Sequence, residues 1–389
     1  MNILHTIPGL DAKSGGTSTS VYTLVKALAA ADPDVKARLL ALESRDGQPM
    51  AGHGEPWIKT VEWDAITPLA LSANYKRFLT NDDFDLCHIN GMWMYPNHIS
   101  CAVARRKGKP YVITPHGMLY PQTLRSSRWK KNLVRKLWFD RDIREAACIH
   151  ATCPEEMEHI RALTGYRGPI AVIPNAIEMP EYVDEIYTLR FSRDIASGDP
   201  VRLGFLGRLH PRKNVESIIL AAAMRKNLNL EIEIMGTGDA EYENRLRDLV
   251  ARNGLDDRVN FAGFVSGRQK FERLSRLMAL FVPSDMENFG MIIPEALSVG
   301  TPVMASLGTP WQVLKQEGLG WWCDNTPANL ADIMDTLAYL PPAQLKEMGR
   351  RGHDYTAARF NPGHIASQTI SLYKWILNGD ERPDFVHVQ

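Results

Sequence analysis

Short apolar runs alternate with amphipathic stretches along the whole chain. In the first half, strands are predicted at residues 2–8, 38–43, 85–90, 111–116, 148–153 and 171–175. In the second half, they are predicted at residues 202–207, 231–236, 259–263, 280–284 and 302–306. Helical periodicity fills the gaps, for example over residues 18–31 and 242–254. Strands that alternate with helices predict an α/β fold with parallel sheets and right-handed crossovers.

The alternation is interrupted between about residues 179 and 200, where the chain is charged, poorly periodic and ends in Gly and Pro. A chain of 389 residues also exceeds what one hydrophobic core usually organises. We therefore predict two domains, over residues 1–180 and 200–363, joined by a hinge linker. A final helix is predicted over residues 364–379.

Composition excludes several classes of protein. The contents of 44% apolar and 23% charged residues are typical of a soluble globular chain, and no apolar run of about 18 residues could span a membrane. The 45 basic residues balance the 45 acidic residues, so no overall charge favours nucleic acid. The amino terminus lacks the features of a secretory signal, and the five cysteines form no C-x-x-C pair, which predicts reduced thiols in the cytoplasm.

Two glutamates eight residues apart, Glu287 and Glu295, give the strongest chemical signal. They lie between a predicted strand that ends at residue 284 and a predicted helix with Pro294 in its first turn. Open α/β sheets bind ligands at the carboxyl ends of their strands, and a helix N-terminus favours phosphate. Carboxylates repel phosphate but suit hydroxyl groups. We therefore interpret the segment as a site for a sugar, a phosphate and a ribose.

A second segment fits the same site. Arg208 and Lys213 lie five residues apart, just beyond the strand predicted at residues 202–207. Arginine offers a rigid fork to phosphate oxygens and lysine offers a point charge, so the two could neutralise a diphosphate. Two cations after a strand are by themselves also typical of a solvated loop. The glutamate pair at a matching strand end favours the phosphate-binding interpretation.

Together these segments resemble a known family. The sequence RLGFLGRLHPRKN (202–214), followed by SDMENFGMIIPEALSVGTPV (284–303), is similar to the retaining glycosyltransferases of family four. The resemblance implies the GT-B fold, in which two Rossmann-like, doubly wound parallel-sheet domains face each other across a cleft. It implies an amino-terminal domain that binds the acceptor and a carboxyl-terminal domain that binds the nucleotide sugar. The last helix, within about residues 364–389, would cross back to the first domain.

The resemblance also implies roles for individual residues. Arg208 and Lys213 would stabilise the charge of the leaving diphosphate. Glu287 would hold hydroxyls of the donor sugar and support positive charge near its anomeric carbon, while Glu295 would bind the ribose. His116 matches the position of a family histidine beside the donor sugar, although a lone histidine at a strand end is also typical of a structural hydrogen bond.

Further donor contacts are expected from loops. The resemblance places Gly15 and Gly16 near the donor diphosphate and the acceptor, although the pair alone is also typical of a plain loop. The pattern G-x-G-x-x-G is absent, which disfavours NAD. The other residues expected to line the nucleotide-sugar pocket are Gly236, Gly238, Gly263, Val265, Asn288, Phe289 and Gly290. Two more candidates are His88 and Asn90. They could contact the acceptor, or they could support the residues that line the site without touching a ligand.

A basic stretch over residues 123–144 holds eight Arg and Lys residues against two Asp residues, with apolar residues at helical spacing. Two interpretations stay open. The stretch could be a basic amphipathic helix in peripheral contact with an anionic membrane. Alternatively, its apolar stripe could belong to the core and its basic face to solvent.

The site residues together with the resemblance predict an enzyme that moves a hexose from a nucleotide diphosphate sugar. The resemblance implies retention of the anomeric configuration, and UDP-glucose is the first choice from its frequency in the family alone. The resemblance also implies a glycan or a lipid-linked sugar as the acceptor, in bacterial exopolysaccharide or lipopolysaccharide assembly. We expect no metal, because no D-x-D motif stands at a predicted strand end and the basic pair fills the role of Mg²⁺. The alternatives are a GT-B nucleotide-sugar epimerase and a non-catalytic protein that binds nucleotide sugars.

Overall fold

The computed structural model describes residues 1–10, 16–44, 52, 54–65, 67, 69–121, 123, 134–192 and 199–389, with Lys136 described by its backbone only. The described chain divides into two compact units. The first unit comprises Met1–Glu178 together with Phe360–Gln389, and the second comprises Met179–Arg359. Each unit contains its own sheet, with helices packed against it.

The first unit contains an eight-stranded sheet with the order β14-β7-β6-β5-β4-β1-β2-β3. Its strands are β1 (Asn2–Gly9), β2 (Lys36–Leu42), β3 (Ile58–Val61), β4 (Leu86–Asn90), β5 (Tyr111–Thr114), β6 (Cys148–Ala151), β7 (Ile170–Val172) and β14 (Val386–His387). All neighbours pair in parallel except β14, which pairs antiparallel with β7. The strand order reverses at β1, as in doubly wound sheets.

Helices flank this sheet and include the carboxyl-terminal helix Pro362–Asn378, which packs against the helix Gly16–Ala31. The other α-helices of the unit are Ala73–Asn81, Tyr95–Arg106, Asp140–Arg144 and Pro154–Thr164, and a π-helix spans Arg135–Phe139. The helix Pro154–Thr164 shows how its sequence sets its ends. It begins with Pro154 and two acidic residues and is capped by Gly165 with φ of 63°, both typical helix boundaries.

A chain of hydrogen bonds between buried side chains crosses the centre of this sheet. His150 Nε2 lies 2.8 Å from the carbonyl oxygen of Ile173, which can only accept, so Nε2 carries the hydrogen and Nδ1 accepts. The Thr114 hydroxyl, 3.0 Å away, therefore donates to His150 Nδ1. The same hydroxyl then accepts from His88 Nε2, at 2.7 Å.

The chain continues into the carboxyl-terminal helix. With its hydrogen on Nε2, His88 accepts at Nδ1 from the Tyr373 hydroxyl, at 2.6 Å. Tyr373 in turn accepts from His5 Nε2, at 2.9 Å. Burial lowers the pKa of His5 to about 3, with a smaller contribution from His150, and burial lowers the pKa of His150 to about 4. Burial also lowers the pKa of His88, so the chain is built from uncharged imidazoles.

The second unit contains a six-stranded parallel sheet with the order β10-β9-β8-β11-β12-β13. Its strands are β8 (Val201–Leu206), β9 (Leu230–Met235), β10 (Val259–Gly263), β11 (Ala279–Val282), β12 (Val303–Ser306) and β13 (Gly320–Cys323). Its α-helices are Tyr182–Phe191, Val215–Ala223, Ala240–Arg252, Gly267–Leu274, Ile292–Ser298, Val313–Gln316, Pro327–Tyr339 and Pro342–Arg359. Here the strand order reverses between β8 and β11.

The predicted α/β class with two doubly wound parallel sheets is confirmed. The sequence reading missed the short strands β3, β13 and β14. The segment expected to be a linker contains the helix Tyr182–Phe191, whose aromatic side chains pack within the second unit. Tyr182 contacts Phe271 with ring centroids 5.9 Å apart, and a Cβ atom at Gly300 would lie 2.7 Å from the Phe191 ring. Tertiary packing therefore stabilises a helix with weak periodicity.

None of the helices that the structure describes combines the length and the apolar character required to cross a membrane. All five cysteines are free thiols. Cys323 is half-buried and the other four are buried.

The buried histidines predict a loss of stability in acid. Because the pKa values of His5 and His150 are about 3 and 4 in the folded protein, the unfolded chain binds more protons once the pH falls below about 6.5. We expect the free energy of unfolding to be highest above that pH. It should fall toward pH 4 by up to about 1.4 kcal/mol per pH unit for each such histidine. Urea unfolding between pH 4 and pH 8 measures the slope.

A matched pair of variants identifies the source of this slope. His150→Gln removes one buried titrating group and should reduce the slope, whereas His364→Gln alters an exposed side chain and should leave it unchanged. An equal slope for wild type and His150→Gln would contradict the assignment.

Candidate functional site

The strand order of the second unit reverses between β8 and β11, which lie side by side with β9 and β12 on their outer sides. At such a reversal the loops after the two central strands diverge and leave a crevice at the carboxyl edge of the sheet. The loop after β8 carries Arg208 and Lys213, and the loop after β11 carries Glu287. The topology therefore brings the predicted cations and the first predicted carboxylate to one crevice.

The loop after β8 concentrates positive charge. It ends in the 3₁₀ turn Pro211–Lys213, which is capped by His210 Nδ1 accepting from the backbone N–H of Arg212 at 3.2 Å. Burial lowers the pKa of His210, and the charges of Arg212, Arg208 and Lys213 lower it further. His210 therefore favours its uncharged form. Arg208 is exposed, and the structure pairs it with no carboxylate among the residues that it describes.

Two glycines hold the loop after β9 against the loop after β8. A Cβ atom on Gly236 would lie 1.8 Å from the carbonyl oxygen of Gly207, and one on Gly238 would lie 2.0 Å from that of Leu209. The backbone of Gly236 also has φ of 140°, which disfavours other residues. The predicted glycine turn is thus a tight backbone contact that supports the basic loop.

Glu287 is held across the crevice. Its Oε1 atom accepts from the Lys213 ammonium group, with which it forms an ion pair, and from the Ser284 hydroxyl at 2.7 Å. Its backbone N–H donates to the carbonyl oxygen of Gly308 at 2.9 Å. Lys213 and Glu287 are both largely buried, with side-chain exposures of 25% and 13%. Both donors to the Glu287 carboxylate approach Oε1, so Oε2 is the oxygen left for a ligand.

The second glutamate has a partner that sequence reasoning missed. Glu295 lies in the first turn of the seven-residue helix Ile292–Ser298, and its Oε1 atom lies 2.7 Å from Lys270 Nζ. Lys270 comes from the helix Gly267–Leu274, which follows β10. One basic residue among several on an exposed helix gives no signal in the sequence. Only the packing of the two helices shows that both glutamates of the motif are paired with lysines.

The loop between the two glutamates packs against the core through Phe289. Phe289 is buried and packs edge-to-face on Trp311, with ring centroids 5.6 Å apart. Its carbonyl oxygen accepts from the Trp311 indole N–H. Gly290 follows with φ of 76°, a turn conformation that favours glycine, and Asn288 is half-buried. Contacts from their main-chain N–H groups to the donor stay a prediction.

The turn after β10 is the expected wall for the nucleobase. Gly263 has φ of 69°, and its carbonyl oxygen accepts from the backbone N–H of Gly236 at 2.7 Å, which joins this turn to the glycine loop. Val265 is buried, and a main-chain contact from it to a ligand stays a prediction. Between them, Phe264 exposes 75% of its surface, and sequence reasoning had not singled it out.

In the first unit, His116 follows β5 and is half-buried. Its Nε2 atom lies 3.1 Å from Asn90 Oδ1. Burial lowers the pKa of His116 to about 3, with His150 as a smaller cause. His88 is fully buried within the hydrogen-bonded chain described above, which favours the expected alternative of support over acceptor contact.

Two predicted features lie partly outside the described residues. Gly15 is outside them, and Gly16 is the exposed first residue of the helix Gly16–Ala31. Residues 124–133 of the basic stretch also lie outside the described residues. In the described remainder Leu137 is 61% exposed, whereas Trp138 stacks on His98 with ring centroids 4.8 Å apart.

Each of the two units matches a known protein family. The chain matches the glycosyl transferase 4-like domain over residues 15–176 and the glycosyl transferases group 1 family over residues 188–353. A D-inositol 3-phosphate glycosyltransferase of Stackebrandtia nassauensis is 33% identical over 308 residues, which cover 75% of this chain and 68% of the relative. An uncharacterized glycosyltransferase of Methanocaldococcus jannaschii is 30% identical over 197 residues, 48% of each chain.

Solved structures show the same fold. A sucrose-phosphate synthase from Thermosynechococcus elongatus has a TM-score of 0.76 at 22% identity, covering 98% of this chain and 100% of its own. The HepE protein of Anabaena, solved in complex with UDP, has a TM-score of 0.73 at 18% identity, covering 96% of this chain and 100% of its own. At these identities the likeness establishes the fold alone, and it confirms the expected GT-B fold.

The glycine contact predicts a sharp difference between two Gly→Ala variants. Gly236→Ala places a Cβ atom 1.8 Å from backbone, whereas Gly254→Ala at φ of 63° meets nothing within 4 Å. Both variants strain the backbone, by about 1 kcal/mol or more, but only Gly236→Ala also forces two loops apart. We expect Gly236→Ala to lower Tm clearly more than Gly254→Ala. Equal decreases in Tm for the two variants, measured by calorimetry, would show that the two loops can separate without loss of stability.

Proposed function

The chain belongs to the group 1 glycosyltransferases of family four, and we propose that it transfers a hexose from a nucleotide diphosphate sugar to a hydroxyl group of its acceptor, with retention of anomeric configuration. UDP-glucose is the donor we favour, because HepE, which shares the fold, has been solved with UDP and with UDP-glucose. We propose a glycan or a lipid-linked sugar as the acceptor, in bacterial polysaccharide assembly.

The observation that carries the proposal is the ion pair between Lys213 and Glu287, in which Lys213 comes from the loop that also carries the exposed Arg208. A diphosphate at this crevice would meet two cations from the loop after β8. A sugar attached to it would meet a carboxylate whose one oxygen is already held by Lys213 and Ser284. This arrangement matches both halves of a nucleotide sugar, the charged leaving group and the hydroxylated ring.

The reaction moves one glycosyl unit. The acceptor hydroxyl oxygen forms a bond to the anomeric carbon, and the bond from that carbon to the diphosphate oxygen breaks. The hydroxyl proton passes to the departing phosphate, which leaves from the same face and so retains configuration. Arg208 and Lys213 stabilise the charge that develops on the phosphate. Fixed charges of this kind are usually the largest single contribution to catalysis.

The remaining residues orient the donor. Glu287 Oε2 would accept from hydroxyls of the donor sugar. In the first unit, the uncharged His116 would offer a nitrogen to a sugar hydroxyl. Glu295, held at its other oxygen by Lys270, would accept from the ribose hydroxyls. The turn at Gly263 and Val265 would face the base through its main chain.

Because Arg208 would stabilise the charge on the leaving diphosphate, we expect Arg208→Ala to lower kcat strongly. Removing one preorganised donor typically costs about 3 kcal/mol in the transition state, roughly a hundredfold in kcat. Arg202→Ala is the matched control, because Arg202 lies at the other end of the same strand and pairs with Glu231. Its kcat should equal that of wild type. Steady-state assays with UDP-glucose and release of UDP as the readout give both values.

The two alternative functions, a nucleotide-sugar epimerase and a non-catalytic binding protein, would give different results in assays. An epimerase converts the donor in the absence of acceptor, which analysis of the recovered nucleotide sugar reveals. A non-catalytic binding protein is stabilised by nucleotide sugar yet releases no UDP. If neither UDP nor any other nucleoside diphosphate raised Tm, the donor site itself would be refuted, because a ligand at a hundred times its Kd adds about 2.7 kcal/mol of stability.

The basic pair also predicts independence from divalent metal. Because Arg208 and Lys213 supply the charge that Mg²⁺ supplies to diphosphates elsewhere, we expect EDTA to leave kcat and KM unchanged. The measurement compares initial rates in EDTA with rates after Mg²⁺ is added back. Activity that EDTA abolishes and Mg²⁺ restores would contradict the prediction.

A further inference from the structure

His116 adopts a backbone conformation that a histidine rarely occupies. It follows β5 and Pro115 with φ of 51°, and Gly117 follows with φ of 73°. Among the described residues, it is one of three with positive φ that are not glycine. Such conformations cost about 1–3 kcal/mol and persist only where the surroundings enforce them. Some contact must therefore hold this turn.

Glu156 provides that contact. Its side chain has 0% exposure, and its Oε1 atom accepts from the backbone N–H of Gly117 at 2.5 Å. Its Oε2 atom accepts from the backbone N–H and the hydroxyl of Thr152, both at 2.8 Å. Burial raises the pKa of Glu156, whereas these three donors favour its ionised form.

The two oxygens of Glu156 serve different purposes. Oε2 binds Thr152, which lies two residues before the helix Pro154–Thr164 begins, so this oxygen bonds within the residue's own segment of the chain. Oε1 instead reaches 39 residues back along the chain to the turn after β5. The bond from Gly117 to Oε1 lies outside the helix and its entry, and it acts on the turn that contains His116.

The imidazole of His116 is oriented from its other side by Asn90. The Asn90 Nδ2 group donates to the carbonyl oxygen of Thr6 at 3.2 Å, which leaves Oδ1 to accept from His116. His116 therefore carries its hydrogen on Nε2 and presents the lone pair of Nδ1. A ring so oriented can accept a hydrogen bond from a hydroxyl but cannot donate one there.

We propose that Glu156 is a positioning residue, which holds Gly117 and thereby fixes His116 so that Nδ1 accepts a hydroxyl of a bound sugar. The identity of this ligand rests on the proposed function, whereas the positioning does not. Glu156 touches no substrate in this role. It acts through one peptide N–H and through the imidazole that the peptide carries.

A double-mutant cycle tests the proposal. Glu156→Gln keeps the shape of the side chain but turns an NH₂ group toward either Gly117 or Thr152, so one backbone donor loses its acceptor. Its kcat/KM for transfer should fall by about tenfold to a hundredfold, since small misplacements of a binding group have effects of this size. In the His116→Ala background the same change should cost no more than about twofold. Glu155→Gln, at the exposed neighbouring position, is the matched control and should behave as wild type.

Two outcomes of the cycle would overturn the proposal. One is an undiminished loss for Glu156→Gln in the His116→Ala background, which would mean that Glu156 acts elsewhere. The other is a Glu156→Gln variant with full activity. Melting temperatures of all four proteins separate this coupling from a loss of folding, because a purely structural glutamate would lower Tm without coupling to His116 in activity.

A second measurement needs neither a variant nor an assay. The ¹⁵N shifts of the histidine rings in the wild-type protein report which nitrogen of His116 carries the hydrogen. We expect hydrogen on Nε2, together with slow exchange of the Gly117 amide. Hydrogen on Nδ1, or a rapidly exchanging Gly117 amide, would refute the positioning even if the protein transferred sugar. A protein with no transferase activity but the expected spectra would refute the proposed function alone.

Discussion

The direction of the strands is the constraint on which the rest of the second unit depends. All six strands run parallel, so every loop that follows a strand emerges at one edge of the sheet. Because the order reverses between β8 and β11, the loops after these strands meet at a crevice. Lys213 and Glu287 lie 74 residues apart along the chain, and this topology alone lets them form an ion pair. The tight contacts of Gly236 and Gly238 then keep the basic loop in place.

Within that frame, each glutamate of the motif is already paired with a lysine, Glu287 with Lys213 and Glu295 with Lys270. A partly buried carboxylate without a partner would carry a large desolvation cost, so each lysine offsets that cost and holds its glutamate in place. Both lysines bind the Oε1 atoms. Each carboxylate is thus oriented through one oxygen. In the proposed reaction the other oxygen would accept from a hydroxyl group, which is the preorganisation that electrostatic catalysis requires.

The strand order of the first unit reverses in the same way as that of the second unit. Its interior differs because a chain of polar side chains crosses the sheet. Its central strands carry histidines and a threonine, which link to Tyr373 in a chain of hydrogen bonds with one allowed direction. The direction follows from the Ile173 carbonyl, which can only accept. Hydrogen bonds have preferred directions, so this network specifies the position of the carboxyl-terminal helix more narrowly than apolar packing would. Asn90 and Glu156 extend this polar order to the turn at His116.

The α/β class, the parallel sheets and the family could be predicted from the sequence, because strand and helix periodicities are local and the motif from Glu287 to Glu295 is contiguous. Arg208, Lys213, Glu287 and His116 could be singled out as well, because each stands at or soon after the end of a predicted strand and matches the family. The groups that these residues contact became visible only in the folded chain. Lys270 and Glu156 carry no local signal, because their importance lies in contacts with segments distant in sequence. The helix Tyr182–Phe191 was missed for the same reason, as its aromatic residues are stabilised by distant partners rather than by their own periodicity.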